Sequence, residues 1–381
     1  MDAGLDVRVD AGSAEAARAD APDAASADAE EAGDAASPAD AGRPGIMVVA
    51  TYLGGISSFT LDASGAPRPA CTALDADAQF YAVTASPSGS FVYAADFRGR
   101  VYGYRVSRDD GTLAPVPSSP LVIGGQAITA AIDPQGRVLY VGNSGNSSLY
   151  VFSIDGTTGA LTAVDDSPFA LGAVPAGIAF HPTAALAFIS SAAQSAAGGG
   201  GIHVFDIDPV SARPGGEIAG SPFLPTLLGG ALVMHPSGKF LYDSAFGVHS
   251  YAVAPSGALA ELAESPHPGA ASDNSAIDIA VDPSGHHLFA SSNSLGTVTG
   301  YGVDGTTGAF IGVGGSPFEA GQMPYSVAVD RAGRFLYVGN DDADQVSVFP
   351  IDPTTGALGL AITGSPFVVH GLQPEIVLIG P

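Results

Sequence analysis

Tryptophan is absent from this 381-residue chain, cysteine occurs once, and 13 basic residues stand against 38 acidic ones. Cys71 alone can form no intramolecular disulfide, and no cysteine-histidine spacing matches a structural zinc site. A formal charge of −25 argues against a nucleic-acid partner, whose phosphates need a cationic face, and against an anionic membrane surface. No run approaches the roughly 18 apolar residues of a membrane-spanning helix. Met1 to Val9 lacks the basic start and apolar stretch of a signal peptide.

What is present is one pattern repeated six times between Ala85 and Phe367. It comprises an apolar run, a Pro/Gly turn, an aliphatic-aromatic run, a polar loop, an alternating run and a Gly-containing turn. The turn prolines Pro87, Pro134, Pro182, Pro236 and Pro283 are 47, 48, 54 and 47 residues apart, and Arg331 holds the equivalent place 48 residues on. So long a period without a helical stretch predicts four-stranded antiparallel blades arranged around an axis. In the fifth copy, Ile277 to Val281 reads as a continuous apolar inner strand, Asp282 to Gly285 as a turn, His287 to Ser291 as the second strand, Thr297 to Val303 as the third, and Gly315-Ser316-Pro317-Phe318 as the close of the fourth. His181 and His235 stand where other repeats have Asp133, Asp282 and Asp330, which makes them turn-capping residues.

The two ends complement each other. Ile46 to Tyr52, Ile56 to Leu61 and Pro67 to Thr72 read as second, third and fourth strands with no inner strand before them, while Pro374 to Pro381 reads as an inner strand with nothing after it. Pairing them gives an all-β, seven-bladed propeller over residues 45–381, closed by its N- and C-terminal strands and therefore without open sheet edges. Residues 1–44 are rich in Ala, Asp and Glu, lack aromatics, and carry −8 of the net charge. Such a segment cannot bury enough apolar surface to offset chain entropy, so it reads as a disordered acidic spacer. A spacer ahead of a propeller suits a domain held away from an anchored surface, and the expected location is extracytoplasmic.

Leu139-Tyr140-Val141-Gly142-Asn143 and Leu336-Tyr337-Val338-Gly339-Asn340, the Asp-Pro-x-Gly turns at Asp133 and Asp282, and Thr-Thr-Gly-Ala at Thr157, Thr306 and Thr354 resemble the lactonase-like seven-bladed propellers. That group includes bacterial 6-phosphogluconolactonases and the surface-layer repeats with a Tyr-Val-Thr-Asn signature. The absence of Trp excludes the Trp-Asp repeat type. The resemblance implies the fold and raises lactone hydrolysis as an activity, but its motifs are structural and assign no catalytic residue.

The loops joining fourth to first and second to third strands share one face and are the longer set, so function is expected there. His267, Glu319 and His370, on loops entering three successive blades, are the candidate acid-base group; each also reads as a solvated loop residue. Asp96, Arg98, Arg100, Gln126, Asn143, Asn293, Gln322, Asn340 and Gln373 are candidate binding residues. Asp341, Asp342 and Asp344 offer oxygen ligands for Ca²⁺, short of a full set. The leading expectation is a monomeric, non-enzymatic module that presents this face to a small molecule, carbohydrate or protein. The alternative is a lactonase acting on a neutral sugar-type lactone at the channel mouth, because a phosphorylated lactone would need more cations than Arg98 and Arg100.

Overall fold

A computed structural model describes residues 43–73, 77–193, 200–224, 229–245, 247–267, 276–341 and 344–380. The spacer expected over residues 1–44 lies outside these apart from Arg43 and Pro44, and so does Asp342. Seven antiparallel sheets are present, and the described residues contain no α-helix. Six sheets are built from consecutive strands. The seventh joins Gly45–Tyr52, Gly55–Leu61 and Pro67–Ala73 to the last strand, Leu372–Ile379. Ile46 pairs with Ile379 and Val48 with Val377, so the ring closes between the chain ends as the sequence predicts. Blades are numbered here from the one that starts at Phe80, and the closing blade is the seventh.

The inner strands, Phe80–Ala85, Ala127–Ile132, Val174–Phe180, Leu232–Met234, Ala276–Val281, Pro324–Val329 and Leu372–Ile379, contact one another in a closed circuit about the axis. They are not the most buried strands, contrary to the expectation for a run covered on both sides. Their side chains are largely half-buried because one face borders the central channel. The second strands are the ones sandwiched between neighbouring blades; Phe91–Asp96 and Val138–Asn143 are buried along their whole length. The fourth strand is also shorter than expected. In blade five it stops at Gly312, and Phe318–Glu319 adds back separately onto the third strand after the Ser316-Pro317 cis bond. Each Ser of the six cis Ser-Pro pairs accepts a hydrogen bond from a third-strand N–H, as Ser167 does from Val151 and Ser365 from Val348, both at 3.0 Å. The hydroxyl thus replaces a ladder carbonyl that the turn has removed.

Neighbouring blades are fastened by the tyrosine of the repeat. The Tyr93 hydroxyl donates to the Gly159 carbonyl in the hairpin of the next blade at 2.8 Å, Tyr140 to Ala212 at 2.7 Å and Tyr337 to Gly65 at 2.9 Å. Gly159 has φ of +77° and a Cβ there would overlap the Phe91 ring, so the close approach requires glycine. Hydroxyls make a second set of links to the next inner strand: Ser190 to Gly230, Ser244 to Ile277, Ser291 to Tyr325 and Ser326 to Pro374. His181 and His235 cap their turns through Nδ1, which accepts from the Ala184 N–H at 2.7 Å and the Ser237 N–H at 3.1 Å respectively. Asp133 does the same with Oδ1 for Val138.

Two measurements check this description. Ile379→Ala, at a site 2% exposed in the closing strand, should cost about 2–5 kcal/mol in urea unfolding, whereas Leu360→Ala, at a site 94% exposed, should stay within about 0.5 kcal/mol. Equal effects would contradict the closure. Tyr140→Phe should cost about 1 kcal/mol, because it removes a buried interblade hydrogen bond. Tyr242→Phe should cost nothing, since that hydroxyl is buried without a partner among the described residues.

Candidate functional site

At the loop-bearing end of the axis the channel widens into a cavity of about 470 Å³. How residues reach it follows from an irregularity that the inner strands share. Pairing between first and second strands slips by a residue at this end, between Phe80 and Ala82, Pro175 and Gly177, Ala276 and Ile279, and Pro324 and Ser326. The extra residue of such a bulge is left out of the ladder and its side chain is re-aimed. Tyr81, Ala176 and Tyr325 are such extra residues, Ile277 and Asp278 together face the single residue Ser291, and all five bulge residues line the cavity.

Two carboxyl groups stand on its wall. Asp278, in the inner strand of blade five, accepts a hydrogen bond from the Val327 N–H of the next inner strand and another from the Ile279 N–H, both at 2.9 Å. Glu375 comes from the closing strand, with the Tyr325 strand between the two. Burial away from bulk water pushes Asp278 up to about 6, and its two backbone donors pull in the opposite direction. Glu375 is pushed well above the usual carboxylate range by burial first and by the Asp278 charge second. Both carboxyls are therefore harder to ionise than solvated ones, and charge on either disfavours charge on the other. The Tyr325 phenol is raised by burial and by the Glu375, Tyr81 and Asp278 charges, so it remains a hydrogen-bond donor. Tyr81 packs edge-on to Tyr52 at 5.9 Å and against Phe97 at 5.0 Å, which gives the mouth an aromatic rim. Among the described residues, no lysine or arginine lines the cavity.

None of the sequence-derived candidates lines this cavity, although their neighbours Phe97 and Ser144 do. His267, Glu319 and His370 are not brought together over the channel. His267 is buried in the seam between blades four and five, with Nε2 2.7 Å from the Ser250 hydroxyl and its ring 4.0 Å from that of Phe310. Glu319 is exposed on the strand fragment that pairs with Thr297 at the outer side of blade five. His370 is exposed in the turn before the closing strand, and its carbonyl accepts from the Thr51 hydroxyl at 2.6 Å. The reason is the broken fourth strand, which keeps these residues on the rim of each blade.

Asp96, Asn143 and Asn340 are buried at 0–1% exposure, and hold loops instead of facing solvent. Asp96 Oδ1 accepts from the Gln79 and Arg98 N–H groups, and its Oδ2 pairs with Arg100. Asn143 Oδ1 accepts from the Gln126 and Gly145 N–H groups while Nδ2 donates to the Gly124 carbonyl. Asn340 donates to Ser347. Asp96 and Asn143 thereby tie the loop entering a blade to the loop leaving its second strand. Arg98 lies 3.9 Å from Asp77, the Gln126 amide oxygen accepts from Ser144, Asn293 is half-buried in its turn, and Gln322 is exposed. Asp341 Oδ1 accepts from the Gln373 N–H at 2.8 Å, and Asp344 accepts from the Val369 N–H through its carbonyl. Among the described residues, no three potential ligands gather around a common point for a metal. Asp278 and Glu375 escaped the sequence reading because both sit in runs that look apolar. A lone acid inside an inner strand was the available signal.

A search of curated proteins finds no match. The profile of a family described as "Lactonase, 7-bladed beta-propeller" matches residues 113–216 and 231–370. Among solved structures, a candidate 6-phosphogluconolactonase from Bacteroides fragilis superposes with a TM-score of 0.73 at 21% identity, over 90% of this chain and 100% of its own. The periplasmic gluconolactonase PpgL of Pseudomonas aeruginosa gives 0.69 at 20%, over 88% and 99%. A protein from Lactobacillus plantarum gives 0.72 at 17%, over 88% and 99%. No helix among the described residues is long and apolar enough to cross a membrane.

The carboxyl pair has a consequence for stability. Unfolded carboxyls titrate near ~4, so from there up through about 6 for Asp278, and further for Glu375, the folded chain binds more protons than the unfolded one. Stability from this source is complete below ~4 and falls as pH rises through that window. Glu375→Gln should therefore stabilise the protein at pH 8 by about 1 kcal/mol and flatten the decline of melting temperature between pH 5 and pH 8. A variant less stable than the parent at pH 8 would contradict the assignment.

Proposed function

The chain belongs to the seven-bladed β-propeller lactonase family, and on that premise we propose that it hydrolyses a neutral lactone in the channel cavity. The observation that carries this reading is the carboxyl pair Asp278 and Glu375, which line one cavity where burial raises both groups above the usual carboxylate range. The expectation of a non-enzymatic module gives way here. Keeping two mutually repelling carboxyl groups in a partly desolvated channel costs stability, and acid-base chemistry uses what that cost provides.

In the proposed reaction Asp278, fixed by the Ile279 and Val327 amides, takes a proton from water as the water oxygen attacks the lactone carbonyl. Glu375, protonated, donates a hydrogen bond to the carbonyl oxygen as it becomes an oxyanion, and the Tyr325 phenol is a second donor on the same wall. The bond from carbon to ring oxygen then breaks, and the proton held by Asp278 passes to the departing alkoxide. The product is the open hydroxy acid. A neutral substrate fits because a phosphorylated one would bring two negative charges to a wall that has carboxylates and no cation. The periplasmic gluconolactonase neighbour also suits the extracytoplasmic location expected from the acidic spacer.

The test is a pH-stat assay over neutral and phosphorylated lactones. The rate should rise through about pH 6 as Asp278 ionises and fall at higher pH as Glu375 loses its proton. Asp278→Asn and Glu375→Gln should each lower kcat ~100-fold to 10,000-fold, whereas Glu319→Gln and His370→Ala, away from the cavity, should not. Faster hydrolysis of 6-phosphogluconolactone than of any neutral lactone, or turnover indifferent to both cavity substitutions, would defeat the proposal.

A further inference from the structure

The wall opposite the carboxyl pair is poor in polar side chains. Ile128, Ala130, Ile178 and Leu232 line it, with Thr129 and Ser144 as its hydroxyls. The volume, about 470 Å³, falls in the range of pockets that hold drug-sized molecules.

Just outside the mouth, large apolar side chains are left open to solvent. Leu53, Met323 and Leu372 are 52%, 39% and 44% exposed. Backbone bonds and strand pairing link their segments to one another and to the cavity wall. Leu372 pairs with Tyr52, which adjoins Leu53 and packs on the cavity residue Tyr81. The next residue, Gln373, donates to Asp341 Oδ1, and the Asp341 N–H donates to the Met323 carbonyl at 3.0 Å. Met323 and Leu372 therefore stand on adjoining segments, two residues before Tyr325 and three before Glu375. Leu53 and Met323 are held at φ of +63° and +50°. Bulky residues rarely adopt that region, and such local strain gathers where a surface is used.

We propose that the substrate is an alkyl-substituted neutral lactone, its ring at Asp278 and Glu375 and its chain laid along the Met323, Leu372 and Leu53 ledge. This rests on the lactonase reading above and narrows it from neutral lactones in general to amphiphilic ones. The short sequence distance from Met323 to Tyr325 and from Leu372 to Glu375 favours a single ligand spanning both, and the acidic wall favours a ligand without charge.

The experiment compares γ-butyrolactone, γ-octalactone, γ-dodecalactone and glucono-δ-lactone with the full chain, by hydrolysis and separately by calorimetric binding to the Asp278→Asn variant, where turnover is suppressed. Half-buried to buried methylenes should improve kcat/KM about two- to fourfold each, so γ-octalactone should exceed γ-butyrolactone at least about tenfold. Dissociation constants should fall in parallel, and Met323→Ser with Leu372→Ser should shrink the ratio. Hydrolysis that favours glucono-δ-lactone, or is indifferent to chain length, overturns this inference and leaves the lactonase reading standing. If no lactone is hydrolysed, the lactonase reading fails, and the ledge is then judged by binding alone: equal dissociation constants for the butyrolactone and octalactone would overturn it.

Discussion

The joint between one blade and the next is the constraint on which the rest of this ring depends. A propeller sheet buries its second strand only when a neighbour covers each side, so no blade is a stable unit by itself. The Tyr hydroxyls of the repeat meet that demand by reaching from the second strand to a hairpin carbonyl of the following blade. The Asn or Asp at the other end of the same strand fastens the two loops above it. In Leu-Tyr-Val-Gly-Asn, therefore, Leu and Val fill the core, Tyr secures one end of the blade and Asn the other.

With both ends secured, the inner strands can tolerate irregular pairing at the channel mouth. There the ladder slips in blade after blade, and the slipped residues supply the cavity wall. Asp278 shows the economy of the arrangement. Its carboxylate takes the Val327 amide of a neighbouring blade, so a group that would destabilise the channel also helps to align two inner strands.

The architecture was legible because it repeats. The turn at Asp133, the Tyr and Asn of the motif, and the orphan strands at Ile46 and Ile376 recur or complement each other, and each has a local physical cause. The site was much less so. A bulge at Tyr325 or Ile277 depends on pairing between distant segments, and nothing in the local pattern announces it. Asp278 and Glu375 were read as parts of apolar strands, whereas exposed loop residues such as Glu319 and His370 drew attention through their chemistry. His267 has a base's chemistry but is spent on Ser250 and Phe310. Placement around the axis, more than residue type, separated structural from functional groups.

The seams are not all fastened alike, since Phe188, Phe289 and Val48 stand where blades one, two and six carry the bonding tyrosine. At Tyr242 the hydroxyl has no partner among the described residues, and the contact between blades four and five relies instead on the ring of Phe310, the His235 bond to Gly285 and the buried His267. A closed ring under stress parts at its weakest joint, and once parted it is an open array with two free edges. Thermal fluctuation, pressure or mechanical pull should thus open the ring at a seam that lacks the tyrosine bond before one fastened by Tyr93, Tyr140 or Tyr337.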